Sequence, residues 1–118
     1  MFNQQIRAYD KQKQYMIMPN DIELIELENG KIISIYIGNE WITTNDDFDF
    51  MLSINERTDK NGRLIFENDY VKDSVGNISL VSNINGNFML MYDTKKEYIN
   101  NMFSTELEVI GNIYETQR

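Results

Sequence analysis

Short apolar segments with β-type alternation recur along this chain, separated by turn signals, and the pattern predicts strands more than helices. The clearest punctuation is the pair Asn-Gly, present at Asn29-Gly30, Asn61-Gly62 and Asn85-Gly86. Asn and Gly tolerate the positive φ that both central positions of a type I′ turn require, so each pair predicts a two-residue hairpin. A β-meander is the expected result.

At the first turn, Glu28 would face Lys31 as an opposite-charge cross-strand pair. An unbroken register then sets Leu27 beside Ile32, Leu24 beside Ile35 and Ile22 beside Ile37. Residues 21–28 also fit a helical spacing, but the β-rich partner at 31–37 favours a strand. At the third turn, Ile84 would face Asn87, Ser82 would face Met89, and Leu80 would face Met91. This puts Ile78, Leu80, Ile84, Met89 and Met91 on one side, with Val81, Phe88, Leu90 and Tyr92 on the other. Two apolar faces on one hairpin imply either a closed barrel or a face lent to another subunit, and a covering segment of the same chain is the alternative. Met89 and Met91 are the candidate self-association residues.

Thr94-Lys95-Lys96-Glu97 fits a capping box, and Tyr98, Ile99, Met102 and Phe103 follow on one helical face, predicting one short helix near 95–103. The spacing of Leu107, Val109, Gly111 and Ile113 predicts a last strand over 106–114.

Composition then narrows the chemistry. A chain of 118 residues with 42% hydrophobic residues suits one domain with a modest core. No apolar run approaches the ~18 residues that would span a membrane. The N-terminal residues lack the pattern of a signal peptide, so a cytoplasmic product is expected. There is no cysteine and no histidine. That removes disulfides, thiolate and imidazole zinc sites, and the commonest general base near neutral pH. No catalytic group, cofactor site or metal site is assigned, and the expectation is a protein that is not an enzyme.

The formal net charge of −8 opposes nucleic-acid phosphates unless the bases cluster. Arg57, Lys60, Arg63 and Lys72 do gather around one segment, but Glu56, Asp59, Glu67, Asp69 and Asp73 are interleaved with them. Asp46, Asp47 and Asp49 invite a calcium reading. However, that loop lacks the glycine at position six and the closing glutamate at twelve, as does Asp59-Lys60-Asn61-Gly62. Solvated acidic loops fit better.

Three separated pieces carry a family resemblance. The first is Ile6-Arg7-Ala8-Tyr9-Asp10 with Lys11 and Met16. The second is Asp59-Lys-Asn-Gly-Arg-Leu-Ile-Phe-Glu-Asn-Asp-Tyr-Val-Lys72, and the third is Glu108-Val-Ile-Gly-Asn-Ile-Tyr-Glu115. In that order they resemble the YopX family of phage and prophage proteins, whose members typically open with Phe-Arg-Ala-Trp-Asp. Where the family carries Tyr-Thr-Gly, this chain has Ile54-Asn55-Glu56, and the family's Glu-Gly-Asp reads Glu67-Asn68-Asp69. Asparagine is the next-best residue for a left-handed backbone position, so the turn at Asn68 should survive.

The resemblance implies an SH3-like small barrel, self-association and no established biochemical activity. With the alternation it gives a single mainly β domain of 1–118, with barrel strands from 1–18 and 53–118 and an inserted β-hairpin region at about 20–50. Arg7, Asp10, Asn61, Gly62, Glu67, Asn68, Asp69, Gly111 and Asn112 are read as structural members of the motifs. Asp69 should cap backbone N–H groups of its own turn, and Arg7 should pair with Asp69, Glu67 or Asp10. The expected function is that of a phage-encoded, non-enzymatic, self-associating binding or assembly protein, with a host or phage protein as a further partner. The alternatives are a nucleic-acid-binding small barrel and an acidic inhibitor of a host nucleic-acid enzyme.

Overall fold

In the computed structural model, described over residues 5–92, 95–98 and 106–115, the chain is mainly β. It divides into two compact units, one of residues 5–51 and one whose described part runs from 52 to 115. The division falls between Met51 and Leu52, and residues 5–18 lie in the same unit as 19–51.

In the first unit, β1 (Ile6–Asp10) and β2 (Tyr15–Ile17) form a hairpin with Ala8 opposite Ile17. A 3-10 turn at Pro19–Asp21 leads to an antiparallel sheet of β3 (Leu24–Glu28), β4 (Lys31–Ile37) and β5 (Glu40–Thr43). The strand alternative for 21–28 therefore prevails over the helix. Buried Ala8, Ile17 and Ile35 form the core, with Ile22, Ile25, Ile32, Ile37, Ile42, Phe48 and Phe50 packed around them.

The β3–β4 hairpin corrects the expected register. Glu28 faces Lys31 and Leu27 faces Ile32, as the turn dictates, and both Asn29 and Gly30 have positive φ. A bulge follows at Ile33, so that Glu26 faces Ser34, Ile25 faces Ile35 and Leu24 faces Tyr36. One extra residue on β4 reverses the faces beyond it. Ile25 thus joins the core while Leu24 and Leu27 are exposed. A further two-residue turn, Gly38-Asn39, carries positive φ at both positions and joins β4 to β5. It is the hairpin signal in reversed order, not among the three Asn-Gly turns expected.

Strand β6 (Phe48–Thr58) is where the chain passes into the second unit. There β7 (Leu64–Phe66) pairs back on it. The next strands are β8 (Asp69–Lys72), β9 (Ile78–Ile84), β10 (Asn87–Tyr92), β11 (Lys95–Tyr98) and β12 (Glu108–Asn112). They form one antiparallel sheet in the order β11-β10-β9-β8-β12. Ile54, Ile65, Val71, Val81, Leu90, Leu107 and Val109 form its core, with Phe88 against it.

The β9–β10 hairpin has the expected register throughout: Ile84 opposite Asn87, Ser82 opposite Met89, and Leu80 opposite Met91. Asn85 and Gly86 both adopt positive φ, as a type I′ turn needs. Residues 95–98, by contrast, are a strand paired with β10, not the start of a helix. Pairing with an open strand edge satisfies every second backbone group at once, which a chance capping-box match does not outweigh. The remainder of the expected helix lies outside the described residues. The last strand is shorter than expected, because a bulge between Val109 and Gly111 ends the alternation and leaves Ile113 exposed.

Candidate functional site

The middle and C-terminal motifs meet at one corner of the second unit, and Asp59 holds it together. Its Oδ1 accepts N–H bonds from Asn61 and Arg63, both at 2.9 Å, and its Oδ2 accepts one from Val109 at 2.8 Å. Two more links run alongside: Lys60 N–H donates to Leu107 O at 2.9 Å, and Lys60 Nζ lies 3.5 Å from Glu108 Oε1. Asp59 is only 2% exposed. Burial pushes its carboxyl pKa up, but the N–H donors of Val109, Arg63 and Asn61, with the charge of Arg63, outweigh that and hold it below the ordinary 3.8.

This carboxylate also corrects the expected turn at Asn61-Gly62. Gly62 has φ +82°, but Asn61 is not in the left-handed region, so the turn is not type I′. By binding the N–H groups of Asn61 and Arg63, Asp59 selects a longer loop closed by its own N–H to Arg63 O at 2.7 Å. Asp59, expected in a solvated acidic loop, is instead buried against backbone N–H groups. Its local signal was the Asp-x-Asn-Gly order, an Asx-turn signature. Its bond to Val109 has no local signal.

The adjoining β7–β8 turn matches the expectation for Asn68 and Asp69. Asn68 sits at φ +70°, and Asp69, 1% exposed, accepts the Phe66 N–H on Oδ2 at 2.9 Å. Asn68 also donates its backbone N–H to Val81 O, receives the Ile113 N–H on its carbonyl, and donates Nδ2–H to Tyr114 Oη at 3.1 Å. Glu67 Oε1 accepts from Asn83 Nδ2 at 3.0 Å. Asn112 Oδ1 accepts the Tyr114 N–H, and Gly111 lies opposite Tyr70 just past the bulge. Asn68→Gly and Asn68→Val both lose the Tyr114 bond, so their difference isolates the backbone. The valine variant is expected to be less stable than the glycine variant by about 2 kcal/mol in urea unfolding.

Arg7 and Asp10 belong to the first unit. Arg7 is buried and its Nε lies 3.4 Å from Met51 Sδ, while Asp10 Oδ1 accepts the N–H groups of Gln12 and Lys13 at the β1–β2 turn. Of the basic residues, Lys60 pairs with Glu108, Lys72 stands opposite Glu108, and Arg63 acts on Asp59. Lys60 and Lys72 share the wall of an open depression of about 680 Å³ with Asp73 and Glu106, so its charge is mixed. Asp73 is a second Asx centre. The N–H of Asn77 lowers its carboxyl pKa most, burial works against it, and the remaining N–H groups of its loop add to the lowering. Among the described residues no three acidic side chains come together as a metal site, and no helix is long and apolar enough to cross a membrane.

The sheet face opposite the core carries Met89 and Met91. With Leu80, Ile84 and Tyr70 they are half-buried, while Ile78 is 52% exposed. Leu80 stands between Met91 on β10 and Tyr70 on β8.

A mainly β chain of short antiparallel strands, stitched at one corner by buried aspartates, is the class of protein these features define. The family model described as YopX protein matches residues 5–118, and the chain belongs to the YopX family. Two solved structures are similar to it in fold. Protein EF1440 from Enterococcus faecalis is 21% identical with a TM-score of 0.65, the match covering 97% of this chain and 95% of that one. Protein yopX from Bacillus subtilis is 14% identical with a TM-score of 0.66, covering 95% and 94%. No curated protein matches the chain.

Proposed function

We propose that this chain is a phage- or prophage-encoded protein of the host cytoplasm that works without catalysis, as a self-associating binding or assembly unit built on an SH3-like small barrel. The observation that carries this reading is the second apolar face of the β8–β10 sheet. Met89 and Met91 sit beside Leu80, Ile84 and Tyr70, opposite a face already filled by Val81, Leu90 and Val71. Flexible, polarisable methionines suit such a contact. The absence of cysteine and histidine supports the non-enzymatic part, as does the commitment of Asp59 and Asp69 to backbone N–H groups. The acids facing Lys60, Lys72 and Arg63 weaken a nucleic-acid role.

Placing a charge in this face should break the contact. Met89→Lys and Met91→Lys are expected to convert an oligomer into monomer, read as mass by light scattering. Variants that keep the wild-type mass would remove this surface as the interface.

A further inference from the structure

The three-stranded sheet β3–β4–β5 has two apolar cross-strand rows with different surroundings. Ile25, Ile35 and Ile42 form one row and enter the core. Leu24, Tyr36 and Trp41 form the next row, and strand alternation turns it to the opposite face. Leu24 is 55% and Trp41 51% exposed. The Tyr36 and Trp41 rings lie 5.2 Å apart at 56°, a tilted pair that stiffens the ridge.

Acids border this ridge. Glu26 follows Leu24 on the same face, and Glu23, Glu28 and Glu40 lie at the strand ends. From 21 to 43 the chain has five acids and one base, Lys31, which stands opposite Glu28. The salt bridges among the described residues involve none of Glu23, Glu26 or Glu40. An exposed aromatic ridge bordered by carboxylates, of which Glu23, Glu26 and Glu40 are in no ion pair among the described residues, fits a cation with an apolar stem. A cation can stack on the indole and pair with a glutamate, while an apolar neighbour covers Leu24 and Tyr36.

We propose that the Leu24–Tyr36–Trp41 ridge is a docking surface for a cationic segment of another protein, in which arginine or lysine alternates with apolar residues. This rests on the reading of the chain as a binding protein, but uses a different surface from the methionine face. Charge selects the occupant. A second copy docked face to face would set one acid-bordered ridge against another, and phosphates of nucleic acid or anionic lipid would meet carboxylates.

Trp41 is the chain's one tryptophan, so its emission reports on this ridge alone. The probe is a peptide of about ten residues alternating arginine and leucine, titrated into the full chain. Saturable displacement of the emission maximum is expected, weakening as salt is raised to about 0.5 M. Glu26→Lys/Glu40→Lys should bind about tenfold more weakly with an unchanged unfolding midpoint, since both side chains are exposed. If the reversal disturbs the sheet, Glu26→Gln/Glu40→Gln supplies the same comparison.

The proposal is overturned if the peptide leaves the emission unchanged, or if folded charge variants bind like wild type. It is also overturned if a glutamate–leucine peptide or phosphatidylserine vesicles act equally well, or if protein concentration alone moves the emission, which would make the occupant a second copy. Self-association through Met89 and Met91 is read separately, as mass without peptide, so either idea can fail alone.

Discussion

With Asp59 replaced by alanine, the chain is expected to lose about 3 kcal/mol of stability, seen as a lower urea midpoint at unchanged slope. Three backbone N–H groups, of Asn61, Arg63 and Val109, then lose their acceptor in a place where water hardly reaches. Asp59→Asn tests the same point more finely. Asparagine keeps an oxygen for Asn61 and Arg63 but turns an NH2 group toward the Val109 N–H, donor against donor. The pH dependence gives a second signature. Because the folded pKa lies below the ordinary 3.8, the carboxylate contributes its stability fully above the unfolded value and loses it as pH falls through the folded one. The stability gap between wild type and Asp59→Asn should therefore be constant above about pH 5 and narrow in more acid solution. A gap unchanged down to pH 2 would mean the charge plays no part.

Leu90→Ala is expected to cost about 3 kcal/mol, whereas Leu27→Ala should cost less than about 0.5 kcal/mol. Both are strand leucines beside an Asn-Gly hairpin. Leu90 is 1% exposed and packed among Val81, Val71 and Ile65, so truncation removes its transfer free energy and leaves a cavity. Leu27 is 62% exposed and leaves none. The pair is best measured by urea unfolding of both variants side by side. Equal losses would mean that Leu27 is covered in solution.

That contrast shows what could be read from residue order. The β9–β10 register followed from Asn85-Gly86 and clean alternation, because a two-residue turn leaves no freedom to slip. The β3–β4 register went astray two pairs from its turn. Ile32 and Ile33 are both apolar, so the pattern does not reveal which of them is the bulged residue. The same Asn-Gly pair made a different turn at 61–62 because a nearby carboxylate captured its N–H groups. At the candidate corner, Asn68 and Asp69 were legible because their contacts are local. The closure of Asp59 on Val109 was not, since its partner lies 50 residues on. The ridge at Trp41 was hidden for a related reason: it appears only when the shifted register sets Leu24, Tyr36 and Trp41 in one row.

The long reach of Asp59 also bears on the order in which the chain can fold as the ribosome makes it. The core side chains of the first unit, from Ala8 to Phe50, are all present before residue 52 and the described part of the second unit begin to emerge, so the first unit can condense early. The second unit must wait. Until Leu107 and Val109 are synthesised, Asp59 and Lys60 lack their distant partners, and β8 presents an unpaired edge where β12 will lie. During that interval the nascent chain is most open to strand pairing with a neighbour, and translation speed between residues 72 and 108 sets how long the interval lasts.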